Sequence, residues 1–506
     1  MSEQAVVAAA NDRTIARHLT ARRTLVVYGI VLALGSLAAG SFAWPTSHVT
    51  LMASRIDGLS AAIDVVDHGG PPLLASEKPY SAPWRTTPGQ TYTAAAFTDD
   101  PGIYVYLPEA ANVLGVHDPR VLLKWLALGS FALLALIYPI LFFELFGSIA
   151  AGVVSPLLLG AFSFLGNSDI YWIAGWCALF CLPVLMLAAS RRWSGRSVAV
   201  CAGMALVASY ASSIRSQAGL GVAIAAVALV LLREQTWLRR VSLAALVAIA
   251  YLAVSPALMH GVEAYRNHAI AAYIDAHPGW TSVSSSGHPF WHSAYIGLGY
   301  LPNRWGIAWQ DSSGEAAVRR VDPTAPFLSA RYSSILKHRY FTILREDPGF
   351  VIRTYATKAA VEANQALRRF LPGLLLLPAF LLFGRDRRRM RRSVLLVLPT
   401  LAIQFVPPVL TLPDVYGVGF LSAVGLLAIL SGCELAAILE RAIIARRQGK
   451  QSLPARATVL DAFRRPRALV ATGAALVLLV AAVALHSRTF VLRPGSALGG
   501  PPSAQA

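Results

Sequence analysis

The chain has 506 residues, 56% of them hydrophobic and 14% charged, and its mean hydropathy of +0.54 excludes an ordinary soluble domain and predicts an integral membrane protein. A formal net charge of +18 would suggest nucleic acid in a soluble protein. Here Arg and Lys stand in short clusters between apolar runs, the pattern of membrane topology, so no nucleic-acid partner is expected. Cys177, Cys181, Cys201 and Cys433 all fall inside apolar runs; they read as small core residues, with neither a disulfide framework nor a thiolate metal site expected.

In chain order, residues 1 to 23 read as a cytoplasmic N-terminus, and the first apolar run, 24 to 44, is long enough to span at about 20 residues. It lacks a small-residue cleavage pattern at its end, so it is expected to remain as the first helix. Further runs follow at 121 to 146, 148 to 166, 169 to 190, 197 to 214, 217 to 232, 241 to 259, 370 to 384, 393 to 412, 415 to 438 and 468 to 486. Together they predict an all-α polytopic membrane protein of about 11 transmembrane helices, with two large extracytoplasmic loops that contain amphipathic helices.

The basic clusters orient the chain. Arg22-Arg23, Arg191-Arg192, Arg239-Arg240, the "RDRRRMRR" run from Arg385 and the linker 439 to 467 all fall on one side if every run crosses once. The positive-inside pattern makes that side the cytoplasm, with the arginines near anionic headgroups. An N-terminal transmembrane module, 24 to 259, then carries the outer loop 45 to 120. A second outer loop, 260 to 369, precedes the C-terminal helices, 370 to 486, and a disordered tail, 487 to 506. The turns Asn167–Asp169, Ser213–Gly219 and Leu412–Gly417 are also placed outside.

In the first loop, "HVTLMASRIDGLSAAIDVVDHG" puts Val49, Met52, Ile56, Leu59, Ile63 and Val66 at spacings of three and four. That is an amphipathic helix expected to lie along the outer membrane surface. A Pro- and Gly-rich loop, 69 to 89, follows. A second helix is predicted from Pro101 to near Gly115, with Asp100 as its cap. In the late loop Asp347-Pro348 repeats the start signal for a helix running along the headgroups into the next span.

The pair Asp99-Asp100, in "FTDDPGIYVYLPEA", reads in two ways. It is a helix cap with an exposed neighbour, or it supplies a general base at the membrane surface. Inverting transfer of a sugar from a polyprenyl-phosphate donor needs one carboxylate to take the acceptor hydroxyl proton and a cation to balance charge on the departing phosphate. Arg215, in an outer turn, suits that phosphate, or else snorkels to a headgroup. Asp169 is a cap, or a second acid that orients the acceptor or helps hold a divalent ion. The residues name no cofactor, and Mg2+ or Mn2+ is the alternative counter-charge.

The late loop is dense in His288, Trp291, His292, Tyr295, Trp305, Trp309 and Asp311. Such aromatic faces stack on sugar rings and equally anchor loops in the interface. Tyr104, His288, Trp291 and His292 are the candidate sugar or acceptor contacts. Pro289 disfavours a helical His288/His292 metal pair. Arg266, Lys358, Arg368 and Arg369 read more as headgroup contacts than as site residues.

An apolar first span, an outer loop with a surface helix, and "TDDPGIYVYLP" ahead of further spans together resemble the GT-C superfamily of membrane glycosyltransferases, in its protein-mannosyltransferase-like branch. The resemblance covers residues 20 to 260. It implies an inverting transferase on the extracytoplasmic face, with a polyprenyl-phosphate-linked donor, a lipid, glycan or protein acceptor, and the first-loop acid as base. That role passes to Asp99 or Asp100; the sequence departs from the commoner Asp-Glu pair, and both stay open. Arg215 and Asp169 match by location only. Alanine-rich, arginine-over-lysine composition suggests a bacterial cell membrane, with the site facing the periplasm. Two rivals remain: an O-antigen ligase or polymerase working through the late loop, and a transporter, which would place ionisable groups inside its spans.

Overall fold

The computed structural model describes residues 3–43, 59–60, 62–64, 66–67, 74–75, 92–95, 106–162, 172–215, 217–234, 236–276, 280–283, 289–383 and 387–447. The run 468–486, the tail and most of the basic linker lie outside them. Among the described residues, eight helices are long and apolar enough to cross a membrane, so the chain is a polytopic helical membrane protein.

The order is α1 (Glu3–Ala43), β1 (Leu74–Ala75), β2 (Tyr92–Ala95), α2 (Leu107–Leu114), α3 (Pro119–Phe146), α4 (Ile149–Phe162), α5 (Trp172–Ser190), α6 (Gly195–Ile214), α7 (Leu220–Arg233) and α8 (Trp237–Ala276). Then come β3 (Trp280–Val283), α9 (Phe290–Gly297), α10 (Asp311–Arg319), α11 (Ala330–Glu346), α12 (Pro348–Phe383), α13 (Arg387–Leu410), the single turn α14 (Pro413–Tyr416) and α15 (Val418–Arg447). α4 and α7 are shorter apolar helices of 14 residues, about 21 Å at the helical rise and short of a full hydrocarbon thickness by themselves.

The core lies among α3, α5, α6, α7 and α15, where Tyr138, Phe142, Leu182, Ala205, Val222, Leu426 and Ile429 are sealed from solvent. All four cysteines are buried. Helix α15 is enclosed, whereas α1 and α8 turn residues such as Val31, Leu34, Leu246 and Leu252 outward, surfaces suited to acyl chains. Proline inside these helices leaves carbonyls without their usual partner. Pro183 cannot donate to Leu179, and the Tyr138 hydroxyl crosses from α3 to fill that acceptor at 2.7 Å.

The basic clusters gather at one end. Glu144 lies between Arg22 at 3.3 Å and Arg191 at 2.9 Å. Arg389 donates to the Leu145 carbonyl and pairs with Glu434, which Arg441 also reaches. Arg233 donates to the Arg191 carbonyl. The expected grouping is therefore present, but four of these arginines meet protein carboxylates where headgroups alone were expected.

Three expectations about the two large loops need correction. Leu59, Ala62, Ile63 and Val66 are buried, and Leu59 and Ile63 pack on Leu107, Ala111, Leu122 and Leu123. The amphipathic stripe meets protein because α2 and α3 offer a matching apolar face; Val49, Met52 and Ile56 lie outside the described residues. Helix α8 continues past residue 259 to Ala276. Helix α12 runs into the next span as expected, as one element of 36 residues, but buried Thr354, Thr357, Lys358 and Glu362 put one face of its first half on protein. Besides the helices there is one small sheet. β1 pairs antiparallel with β2 (Leu74 opposite Ala95), and β2 pairs parallel with β3 (Tyr92 opposite Trp280, Ala95 opposite Val283), so the two large loops share one small sheet.

The end of α2 falls at Gly115, in the left-handed conformation that glycine favours (φ 64°). Asp347 caps α12 by accepting from the Phe350 backbone N–H at 3.0 Å. Residues 289–346 form a cap over the bundle end opposite the arginines. Its apolar centre is Tyr295, Leu298, Val318, Tyr332, Leu336 and Ile343, closed by Phe350 and Val351 of α12.

Candidate functional site

The Arg215 turn is built by the break between α6 and α7. Arg215 leaves helical geometry, while its N–H still bonds to the Ala211 carbonyl at 3.0 Å. Gln217 takes a positive φ of 68°, a strained choice for a side-chain-bearing residue. The strain is held by fixed partners: Ser212 Oγ accepts from Gly219 N–H at 3.0 Å, and Gln404 Nε2 of α13 donates to the Gln217 carbonyl at 2.8 Å. The Arg215 guanidinium stands over the ring of Tyr416, 5.8 Å from its centre, within cation–π range. Trp309 of the cap meets that ring edge-on at 6.5 Å.

Tyr416 ends α14, and the chain around it is clamped by α12. Lys358, 0% exposed, donates from Nζ to the Leu410 carbonyl at 3.1 Å and faces the rings of Tyr355 and Tyr300 at 5.3 and 5.7 Å. One turn on, Glu362 is also fully buried. Its carboxylate lies so close to Gly417 that a Cβ there would stand 1.8 Å from Oε1. On the other flank, a Cβ at Gly297 would come within 2.1 Å of the Leu410 carbonyl oxygen. Only glycine lets the cap and α12 approach this turn so closely. Lys358, read from sequence as a headgroup contact, is thus an interior residue. Burying an ammonium costs several kcal/mol, so carbonyl and ring partners recover part of the lost hydration.

Within the cap, His292 is wholly enclosed. Nδ1 meets the Tyr332 hydroxyl at 2.8 Å, and Nε2 meets Asp311 Oδ1 at 3.0 Å. Burial and the nearby Asp311 and Glu315 carboxylates push the Tyr332 phenol above its ordinary range. Asp311 as a carboxylate only accepts, so an Nε2 N–H is the donor in that contact. His292 joins α9, α10 and α11, and the exposed member of the chain is Asp311. Trp291 packs among Phe290, Tyr340 and Phe341 with centroids 5.0 to 5.6 Å apart, and the Lys337 ammonium lies 5.7 Å from its ring. Phe290 and Phe341 are exposed, so this aromatic face with a cation suits a sugar or a headgroup.

The first loop reaches the same end of the bundle. Besides the β2–β3 ladder, the Tyr265 hydroxyl on the α8 extension donates to Glu109 Oε1 of α2 at 2.8 Å. Tyr106 lies against Tyr210 of α6, centroids 6.1 Å apart, near the helix end that carries Arg215. His117 Nδ1 pairs with Asp67 Oδ2 at 2.5 Å.

Of the sequence-predicted site residues, Arg215, Trp291 and His292 are described. Asp99, Asp100, Tyr104, Asp169 and His288 lie outside the described residues. Arg215 is brought to the cap through Tyr416 and Trp309, whereas Trp291 and His292 belong to the cap's own packing. Lys358, Glu362 and Tyr416 were not singled out as site residues. The available signal was an acid four residues after a lysine in a helix that runs into an apolar span. Among the described residues, no three His, Cys, Asp or Glu side chains gather as a metal site. Compared with protein-family models, curated proteins and solved structures, the chain matches none.

Proposed function

We propose that the chain is an inverting glycosyltransferase of the GT-C kind, moving a sugar from a polyprenyl-phosphate-linked donor to a hydroxyl acceptor at the extracytoplasmic face of a bacterial cell membrane. The observation that supports this reading is the meeting of both large loops and the Arg215 turn at the bundle end away from the arginine clusters. Ala95, ahead of the acid pair, is in the shared sheet, and Tyr106, after it, packs beside the end of α6.

In this reading Asp99 or Asp100 takes the acceptor hydroxyl proton as the acceptor oxygen attacks the anomeric carbon from the face opposite the phosphate. The bond from that carbon to the phosphate oxygen breaks, and the electron pair leaves with the phosphate. Arg215 balances that charge, a role suited to a planar, permanently protonated group. The exposed aromatics around Trp291 offer a surface for the acceptor, whether lipid, glycan or protein. The test is incubation of the purified protein with radiolabelled polyprenyl-phosphate sugars. One of them should be consumed with release of the lipid phosphate, and Asp99→Asn/Asp100→Asn should abolish that release.

One observation favours a transporter as the second reading: Lys358 and Glu362 are buried one turn apart in α12, where ionisable groups in membrane proteins commonly mark a path or a switch. A transporter would move the labelled lipid across reconstituted vesicles without breaking its sugar–phosphate bond.

A further inference from the structure

Resting on the reading of Arg215 as the donor-phosphate contact, we propose that Lys358 and Tyr416 are positioning residues that set its guanidinium through the Leu410–Gly417 turn. Lys358 fixes the start of that turn by binding the Leu410 carbonyl at the end of α13, an acceptor that the helix itself leaves over. The turn then carries Tyr416 beneath Arg215, with its backbone N–H returned to the Leu412 carbonyl at 3.2 Å. Glu362 backs the far end of the turn against Gly417, and Trp309 braces the ring at its edge. A lysine placed here for hydration alone would reach outward, as its long stem allows. Instead the whole side chain is enclosed, and its ammonium sits on the one backbone segment that leads to the Arg215 platform.

The geometry explains why a long side chain with a donor at its tip is used. An apolar side chain at 358 would leave the Leu410 carbonyl without this partner. A ring at 416 gives the guanidinium a flat surface that fixes its plane, as bidentate contact with a phosphate requires.

The experiment uses the full-length protein in detergent, with farnesyl phosphate as the probe and calorimetry to read its affinity. Arg215→Ala should weaken binding about 10-fold or more, the scale of a lost charge-assisted contact. Lys358→Met and Tyr416→Leu should each weaken it about 5-fold in the native background and leave it nearly unchanged in the Arg215→Ala background, because both act through the same guanidinium. Tyr416→Phe, which keeps the ring, should restore the affinity that Tyr416→Leu loses. If Lys358→Met does not fold, the two Tyr416 variants carry the test. Equal losses in both backgrounds, or Tyr416→Phe as weak as Tyr416→Leu, overturn the positioning role and leave the phosphate reading intact. Native affinity in Arg215→Ala overturns both.

Discussion

The two ends of the bundle handle charge differently. At the arginine-rich end, carboxylates sit between guanidinium groups: Glu144 with Arg22 and Arg191, Glu434 with Arg389 and Arg441. At the opposite end the cap has exposed ion pairs of its own, such as Arg331 with Asp322, but Lys358 and Lys337 face aromatic rings, and Arg215 stands over Tyr416. Ion pairs between helices spend their attraction on holding those helices together. A ring fixes where a cation sits through its quadrupole. The first arrangement ties helices to one another, and the second sets the place of a single cation.

That contrast can be broken by mutation. The largest effect is expected from Asp99→Asn/Asp100→Asn, which should slow sugar transfer at least about 100-fold, the usual scale for a lost general base, while the thermal midpoint in detergent stays near native. Glu434→Ala should do the reverse. It removes the buried carboxylate that Arg389 and Arg441 share and should lower stability by about 3 kcal/mol, read by thermal unfolding, while the surviving folded fraction keeps native turnover. Gly417→Ala forces a methyl group onto the Glu362 carboxylate and should cost about 1 to 3 kcal/mol, again by thermal unfolding. Tyr265→Phe removes the hydrogen bond to Glu109 and should cost about 1 kcal/mol, read as faster backbone exchange in α2.

The smallest effect is electrostatic. Hydrogen bonds from Arg331 and Thr324 hold the Asp322 carboxyl at about 2, below its unfolded value. Its contribution is therefore present above the unfolded value and is lost as pH falls toward 2. The acid-induced drop in cap stability should be shallower in Asp322→Asn.

Much of the bundle was legible because membrane helices announce themselves by length and hydropathy, and arginine clusters mark a common end. The Gly115 stop and the Asp347-Pro348 start were legible for local reasons, since a left-handed residue and a capping carboxylate act within one turn. What covers an apolar stripe was not legible: Leu59 and Ile63 look the same in sequence whether lipid or protein meets them. Nor was the burial of Lys358 and Glu362, whose four-residue spacing also describes an ordinary surface ion pair. The strand at Tyr92–Ala95 is too short to show a period, and its partner lies far along the chain. Of the candidate site, the place of Arg215 in a turn between two apolar helices was readable, but the ring beneath it comes from a distant segment.

The parallel pairing of β2 with β3 also sets an order of assembly. β2 emerges early in synthesis, yet its partner follows only after every helix from α2 to α8 has been made. Contacts between such distant segments form late. The first loop therefore waits, half built, until most of the N-terminal bundle has been threaded, so a nascent chain stalled before Trp280 would lack the finished seam between its two loops.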